Sequence, residues 1–139
     1  MKKLKIGRNS FIYIRKTSGT ISYRKWVDYI EQNREYFIWY ENTTKGQTIQ
    51  KKVDEFSEDI RPAILYMLNK SNVYCTNKLS KNYWDCVVTY INSGEFSVSL
   101  EKRISKKIAA KLLEMAEYLD AKIVIDEKYL FESVDQLTW

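Results

Sequence analysis

Eighteen carboxylates and no histidine set the chemistry open to this 139-residue chain. Imidazole is the commonest general base near neutral pH and the commonest metal ligand, so both of those roles would fall to other groups. Two groups of acids stand out by position. Asp54, Glu55, Glu58 and Asp59 fall close together, and Asp54 and Glu58 are spaced i, i+4. On a helix that spacing puts both carboxylates on one face, where they could hold a cation weakly. The plainer reading is a solvated, acid-rich helix start favoured by the helix dipole. Asp126 and Glu127 form the second group, adjacent at the end of an apolar run. Residue type alone leaves carboxylate catalysis open at either group, but no partner motif accompanies them.

Other reactive signatures are missing from the sequence. Cys75 and Cys86 without histidine do not make a zinc site. Four scattered glycines form no phosphate-cradling loop. The serines lack both a histidine base and a nucleophile-elbow motif. The chain therefore reads as non-enzymatic, with no metal and no cofactor. The two cysteines fall on neighbouring expected strands and could meet, yet separate reduced thiols are the expectation for a cytoplasmic chain.

Cations give a further group. Lys102, Arg103, Lys106 and Lys107 crowd the first half of an expected helix, where the positive end of the dipole disfavours them. Lys102/Lys106 and Arg103/Lys107 would add like-charge i, i+4 repulsion of a few tenths of a kcal/mol, roughly. Such a cluster either meets an anionic partner or is neutralised by acids elsewhere in the fold, and the second is favoured. The wider balance is polarised. Residues 1–113 hold 21 Lys and Arg against 11 Asp and Glu, whereas residues 114–139 hold two lysines against seven acids. The net charge of +5 with eleven tyrosines and four tryptophans is a weak nucleic-acid signal, which would use the helix face around residues 102–111.

These groups need elements to position them. Residues 4–16 alternate loosely and predict a first strand. Ser22 is an expected N-cap, followed by Tyr23, Trp26, Val27 and Ile30 at helical spacing, with Trp26 as a core anchor. Residues 36–40 predict a strand that could serve as an exposed edge. Asn42 to Gly46 then reads as a loop, and Thr48–Gln50 as a short returning hairpin partner. Val53, Phe56, Ile60, Ile64 and Leu68 step at helical spacing across Pro62, which a helix starting near Asp59 would accept in its first turn. Residues 73–76 and 83–91 predict strands, the second long and central, with a hairpin turn at 92–95 into a strand at 96–100. The apolar stripe Ile104, Ile108, Leu112, Met115, Leu119 predicts a long helix, ended at Asp120 by a left-handed backbone. Residues 121–125 alternate as a strand, and the tail is expected to dock by Leu130, Phe131, Leu137 or Trp139.

Strands and helices mixed without strict alternation predict an α+β fold in a single domain spanning residues 1–139. The expectation is a mainly antiparallel sheet of about five to six strands against two to three helices. No apolar run approaches the ~20 residues needed to span a bilayer. The basic start Met1 to Ile6 is followed by an apolar patch, Phe11 to Ile14, too short for a signal-peptide core. A cytoplasmic protein is expected, with no membrane partner and an oligomeric state left open.

Two stretches carry a resemblance. The first is Ile21-Ser22-x-x-x-Trp26 opening a helix. The second is Phe96-x-Val98 leading to Ala116-x-x-Leu119-x-Ala121-Lys122-x-Val124. Together they resemble a loose group of small, largely uncharacterised bacterial proteins, in the style of toxin-immunity proteins. In that group the last strand runs into a Gly-Asp turn and then Gly-Glu-x-Tyr. Here Ile125-Asp126 and Glu127-Lys128-Tyr129 stand in those places, and the loss of both glycines argues against the group's tight hairpin. The resemblance implies a non-enzymatic cytoplasmic binder that occludes a cognate toxin domain, and it transfers no functional residue. Candidate partner-binding residues are therefore the charged groups named above: Lys102, Arg103, Lys106, Lys107, Asp54, Glu55, Glu58, Asp59, Asp126 and Glu127.

Overall fold

A computed structural model gives the structure of the protein, described for residues 3–76, 84–91 and 94–137. Tyr83, the Asn92–Ser93 part of the expected turn and Trp139 lie outside the described residues. The elements run β1 (Ile12–Arg15), α1 (Tyr23–Gln32), β2 (Phe37–Trp39), α2 (Thr44–Lys51), α3 (Arg61–Met67), β3 (Asn72–Cys75), β4 (Cys86–Ile91), β5 (Glu95–Leu100), α4 (Lys106–Tyr118), β6 (Lys122–Ile125) and β7 (Tyr129–Phe131). Seven strands form one antiparallel sheet in the order β2-β3-β4-β5-β1-β6-β7. The fold is α+β, with more strands and helices than the sequence predicts.

The two longer helices start where a hydroxyl can accept an orphan amide. Ser22 Oγ accepts from the Lys25 N–H at 3.2 Å, and Ser105 Oγ from the Ile108 N–H at 3.2 Å. Asp120 ends α4 with φ of 55°, and the Ala121 N–H returns to the Ala116 carbonyl at 2.9 Å. Strand alternation then sorts the sheet into two faces. Ile12, Ile14, Phe37, Trp39, Val88, Phe96, Val98, Ile123 and Ile125 point inward and are buried. Trp26 of α1 is fully buried against Phe96 (centroids 4.6 Å) and edge-on to Trp39 (5.3 Å). From α4, Ile108, Leu112 and Met115 join the same core. The outward set, including Tyr13, Ile38, Tyr74, Val87, Ser97 and Val124, contains no buried residue.

Several expectations are corrected. Thr44–Lys51 is a helix, not the far side of a hairpin: Thr43 Oγ1 accepts from the Gly46 N–H at 3.0 Å and caps it. The first strand is shorter than residues 4–16, because Gly7 and Ser10 form a turn before it (Ser10 N–H to Gly7 O, 3.0 Å). Cys75 and Cys86 are joined as a disulfide rather than standing as separate thiols. Antiparallel pairing of β3 with β4 sets the two residues directly opposite, with Cα atoms 5.3 Å apart, inside the range a bridge requires. The strand at 86–91 is interior, while the fourth of the seven strands is β5. Pro62 does fall in the first turn of α3, as its missing amide demands. Phe131 and Leu137 dock the tail, whereas Leu130 is exposed. Among the described residues no helix is long and apolar enough to cross a membrane.

Candidate interaction surfaces

The cations do not form one ridge on a helix. Ile104 is buried and Ser105 caps, so α4 begins at Lys106 and leaves Lys102 and Arg103 in the bend before it. The helical i, i+4 repulsion expected at Lys102/Lys106 and Arg103/Lys107 is therefore absent. Lys102 Nζ instead pairs with Asp85 Oδ1 at 2.9 Å, and that aspartate is only 5% exposed. A buried carboxylate needs such a partner. Lys106 and Lys107 project from the first turn into solvent. One turn on, Lys111 folds back over the Tyr36 ring (4.7 Å) and pairs with Glu114 (3.1 Å).

The acids at 54–59 are also divided. Asp54 and Glu55 belong to a 3-10 turn, Val53–Glu55, whereas Glu58 and Asp59 follow it in a separate bend. Asp54 and Glu58 thus do not share a helical face. The Arg61 guanidinium bonds the Asp54 and Phe56 carbonyls, at 3.3 and 2.9 Å, rather than any of the four carboxylates. All four acids are exposed, and among the described residues no group of three or more metal-ligating side chains comes together.

Asp126 and Glu127 are engaged within the fold. They occupy the central positions of a turn closed by the Lys128 N–H to the Ile125 carbonyl at 3.0 Å. Both have positive φ, 54° and 57°, the pattern of a type I′ turn. The tight hairpin therefore forms without either glycine. Asp126 locks it to the sheet by accepting the Phe11 N–H on Oδ1 (2.9 Å) and donating its own N–H to the Phe11 carbonyl (2.8 Å). Glu127 takes a bidentate bond from Arg15, at 2.9 and 3.0 Å, and Glu95 meets the same guanidinium at 3.2 Å. The Arg15 hydrogen bonds hold the Glu127 carboxyl below the usual range.

The charge pattern did not single out a further surface, on helix α3. Helix α3 has no fully buried side chain; Arg61, Ile64 and Met67 are half-buried. Ile60, Leu65 and Tyr66 are 48, 51 and 41% exposed, and the 3-10 turn before them also has no fully buried side chain. The helix is anchored at one end, where the Tyr66 hydroxyl donates to the Tyr90 carbonyl (2.8 Å) and the Ser71 hydroxyl to the Tyr66 carbonyl (2.6 Å). One signal was in the sequence. Leu65 and Tyr66 are large apolar residues lying off the stripe Ile60, Ile64, Leu68, so a helix turning Ile64 and Leu68 inward has to expose them, and Ile60 before the helix is exposed as well. No protein-family model, curated protein or solved structure matches the chain.

Proposed function

We propose that this chain is a non-enzymatic protein-binding inhibitor, an immunity protein that occludes a cognate bacterial toxin domain, and that residues 53–67 form its binding face. The observation that carries this reading is α3, a helix with no fully buried side chain that presents Ile60, Leu65 and Tyr66 to solvent. Short helices gain much of their stability from packing, so a helix whose side chains are at most half-buried gains further from a partner. Exposed large apolar residues ringed by charge are the usual composition of such a surface. Asp54, Glu55, Glu58 and Asp59, exposed in the segment that leads into α3, would steer a basic partner despite the chain's net positive charge. Occlusion needs no catalytic group, in keeping with acids and cations that are solvated or engaged within the fold.

A search of the neighbouring reading frames for a secreted protein with a toxic C-terminal domain, followed by co-expression with that domain, tests the proposal. The expected result is protection of the cells and a one-to-one complex that survives gel filtration. Leu65→Asp, on a side chain the core does not use, should abolish both while leaving the melting temperature unchanged. No complex and no protection by the wild-type chain would overturn the reading. The alternative, a nucleic-acid module on the 102–111 face, has weaker support because Lys102 and Lys111 are engaged by Asp85 and Glu114. Retention on heparin at moderate salt would revive it.

A further inference from the structure

Phe11 is the most exposed large apolar side chain among the described residues, at 66%. It immediately precedes β1, and strand alternation places it on the same outward face as Tyr13. Beside it a trough of about 590 Å³ runs over Ser97 and Ser99, walled by Tyr13, Phe11 and Arg8. The register explains the trough. Ser97 pairs with Tyr13 on one side and Ser99 with Val87 on the other, so the small outward residues of the middle strand lie between larger neighbours. An apolar projection and a receiving trough thus occupy one surface, the arrangement a two-fold contact requires.

Charge and area point to the same occupant. Within the strands, Arg15, Glu95 and Lys122 are the charged members of the outward set, and Arg15 is already engaged by Glu95 and Glu127. With Arg8 on the trough wall and Glu127 on Arg15 the face carries three cations and two acids, so on a chain of net charge +5 two copies repel little there. A nucleic-acid strand would need a run of unengaged cations there. Edge pairing through β7 is blunted, since the Leu130 carbonyl accepts the Gln136 side-chain amide at 3.0 Å. Tyr40 and Trp84 cover Tyr74 at the β2–β3 end, so the open part is β4, β5, β1, β6 and β7. At ~4.8 Å spacing and ~3.3 Å rise these give on the order of 350 Å² per copy, the size of a weak, transient contact.

We propose that the chain forms a two-fold dimer through this open sheet face, with Phe11 of each copy seated in the Ser97–Ser99 trough of the other. The sheets stack about 10 Å apart, as in a sandwich assembled from two chains. An interface this small belongs with weak, transient associations, so the dimer is expected to dissociate on dilution.

Sedimentation equilibrium of the wild-type chain from about 1 to about 300 µM tests this. The mass should rise from monomer to dimer across the range. Phe11→Glu and Ser97→Arg, the first charging the projection and the second filling the trough, should each weaken association at least ~30-fold. Phe11→Ala, which removes a ring that folding does not use, should weaken it at least ~10-fold and serves where a charged variant melts early. Leu65→Asp should leave the dimer intact. A wild-type chain that stays monomeric throughout overturns the proposal, as does a dimer indifferent to Phe11→Ala and Ser97→Arg.

Discussion

Tyr29 and Glu114 join the two long helices, the Tyr29 hydroxyl donating to Glu114 Oε1 at 2.9 Å. Tyr29 is almost fully buried between Phe37 and Tyr118, with Lys111 at its ring. Burial first, then the hydrogen bond to Glu114, push its phenol far above the ordinary value, so it stays a donor at every physiological pH. Tyr29→Phe removes that donor with little change of shape. It should cost about 1–2 kcal/mol, read from the urea midpoint at neutral pH. In a Glu114→Gln background the same substitution should cost less, because a neutral acceptor makes the weaker bond.

Besides the exposed Glu127, acid should find two carboxylates, Glu114 and Glu31, whose native environment favours ionisation. Glu114 is held below the glutamate range by Lys111 and then by Tyr29. Glu31 is held below it by the Trp39 indole N–H at 2.9 Å and by Arg34. Unfolded, each titrates near ~4.3. The native state therefore binds fewer protons than the unfolded chain between that value and the lower native ones. Their contribution is complete above the unfolded value and is lost as pH falls through the native values. Stability should be level from pH 7 to about 5 and decline below about 4. Glu31→Gln should reduce that decline, and an unchanged acid slope in the variant would refute the assignment.

The Cys75–Cys86 bond closes a short loop between adjacent strands, and both residues are buried. Its chain-entropy contribution for such a loop is roughly 3 kcal/mol. Cys75→Ala with Cys86→Ala should lower the unfolding free energy by about 2–4 kcal/mol without changing the far-ultraviolet dichroism. The sheet survives because β3 and β4 are flanked by β2 and β5 and keep their ladders. In the native wild-type chain, dithiothreitol should release thiols only as fast as the protein opens. Rapid release in the absence of urea would count against the buried placement.

Helix α3 and helix α4 should respond oppositely to the same kind of change. Leu112 is buried in the core, so Leu112→Ala should cost about 2–5 kcal/mol. Leu65 lies in solvent, so Leu65→Ala should stay within about 0.5 kcal/mol of wild type. A large cost at Leu65 would mean that the helix contributes to folding, and the binding role proposed for it would lose its basis.

What could be read from the sequence depended on whether local and tertiary preferences agreed. The α4 stripe, the Ser22 cap and the left-handed Asp120 were legible because propensity, capping and burial coincide there. The candidate charges were less so. Asp126 and Glu127 look like a free acidic pair until Phe11 and Arg15, more than a hundred residues away, are brought to them. Lys102 looks helical until Ile104 is drawn into the core. The Thr44–Lys51 segment misled for a different reason: Gly46 is ordinarily a breaker, and the threonines around it favour extended backbone.

Gly46 is retained in that helix by a contact the sequence does not display. A Cβ there would lie 1.9 Å from the Tyr40 carbonyl oxygen and 2.9 Å from Glu41 Cα, both backbone atoms with little room to yield. In an exposed helix, Gly→Ala should stabilise by up to about 1 kcal/mol. Here the close approach reverses the sign. Gly46→Ala should destabilise by about 1–3 kcal/mol, the usual cost of overpacking. The Thr43 cap bonded to the Gly46 N–H should be displaced with it, and with it the fit of Tyr40 against Tyr74. Thermal unfolding of Gly46→Ala against Lys45→Ala, an exposed neighbour one residue away, separates the two effects. If both variants melt with the wild type, the close packing of α2 on the 40–41 backbone is not what holds this segment as a helix.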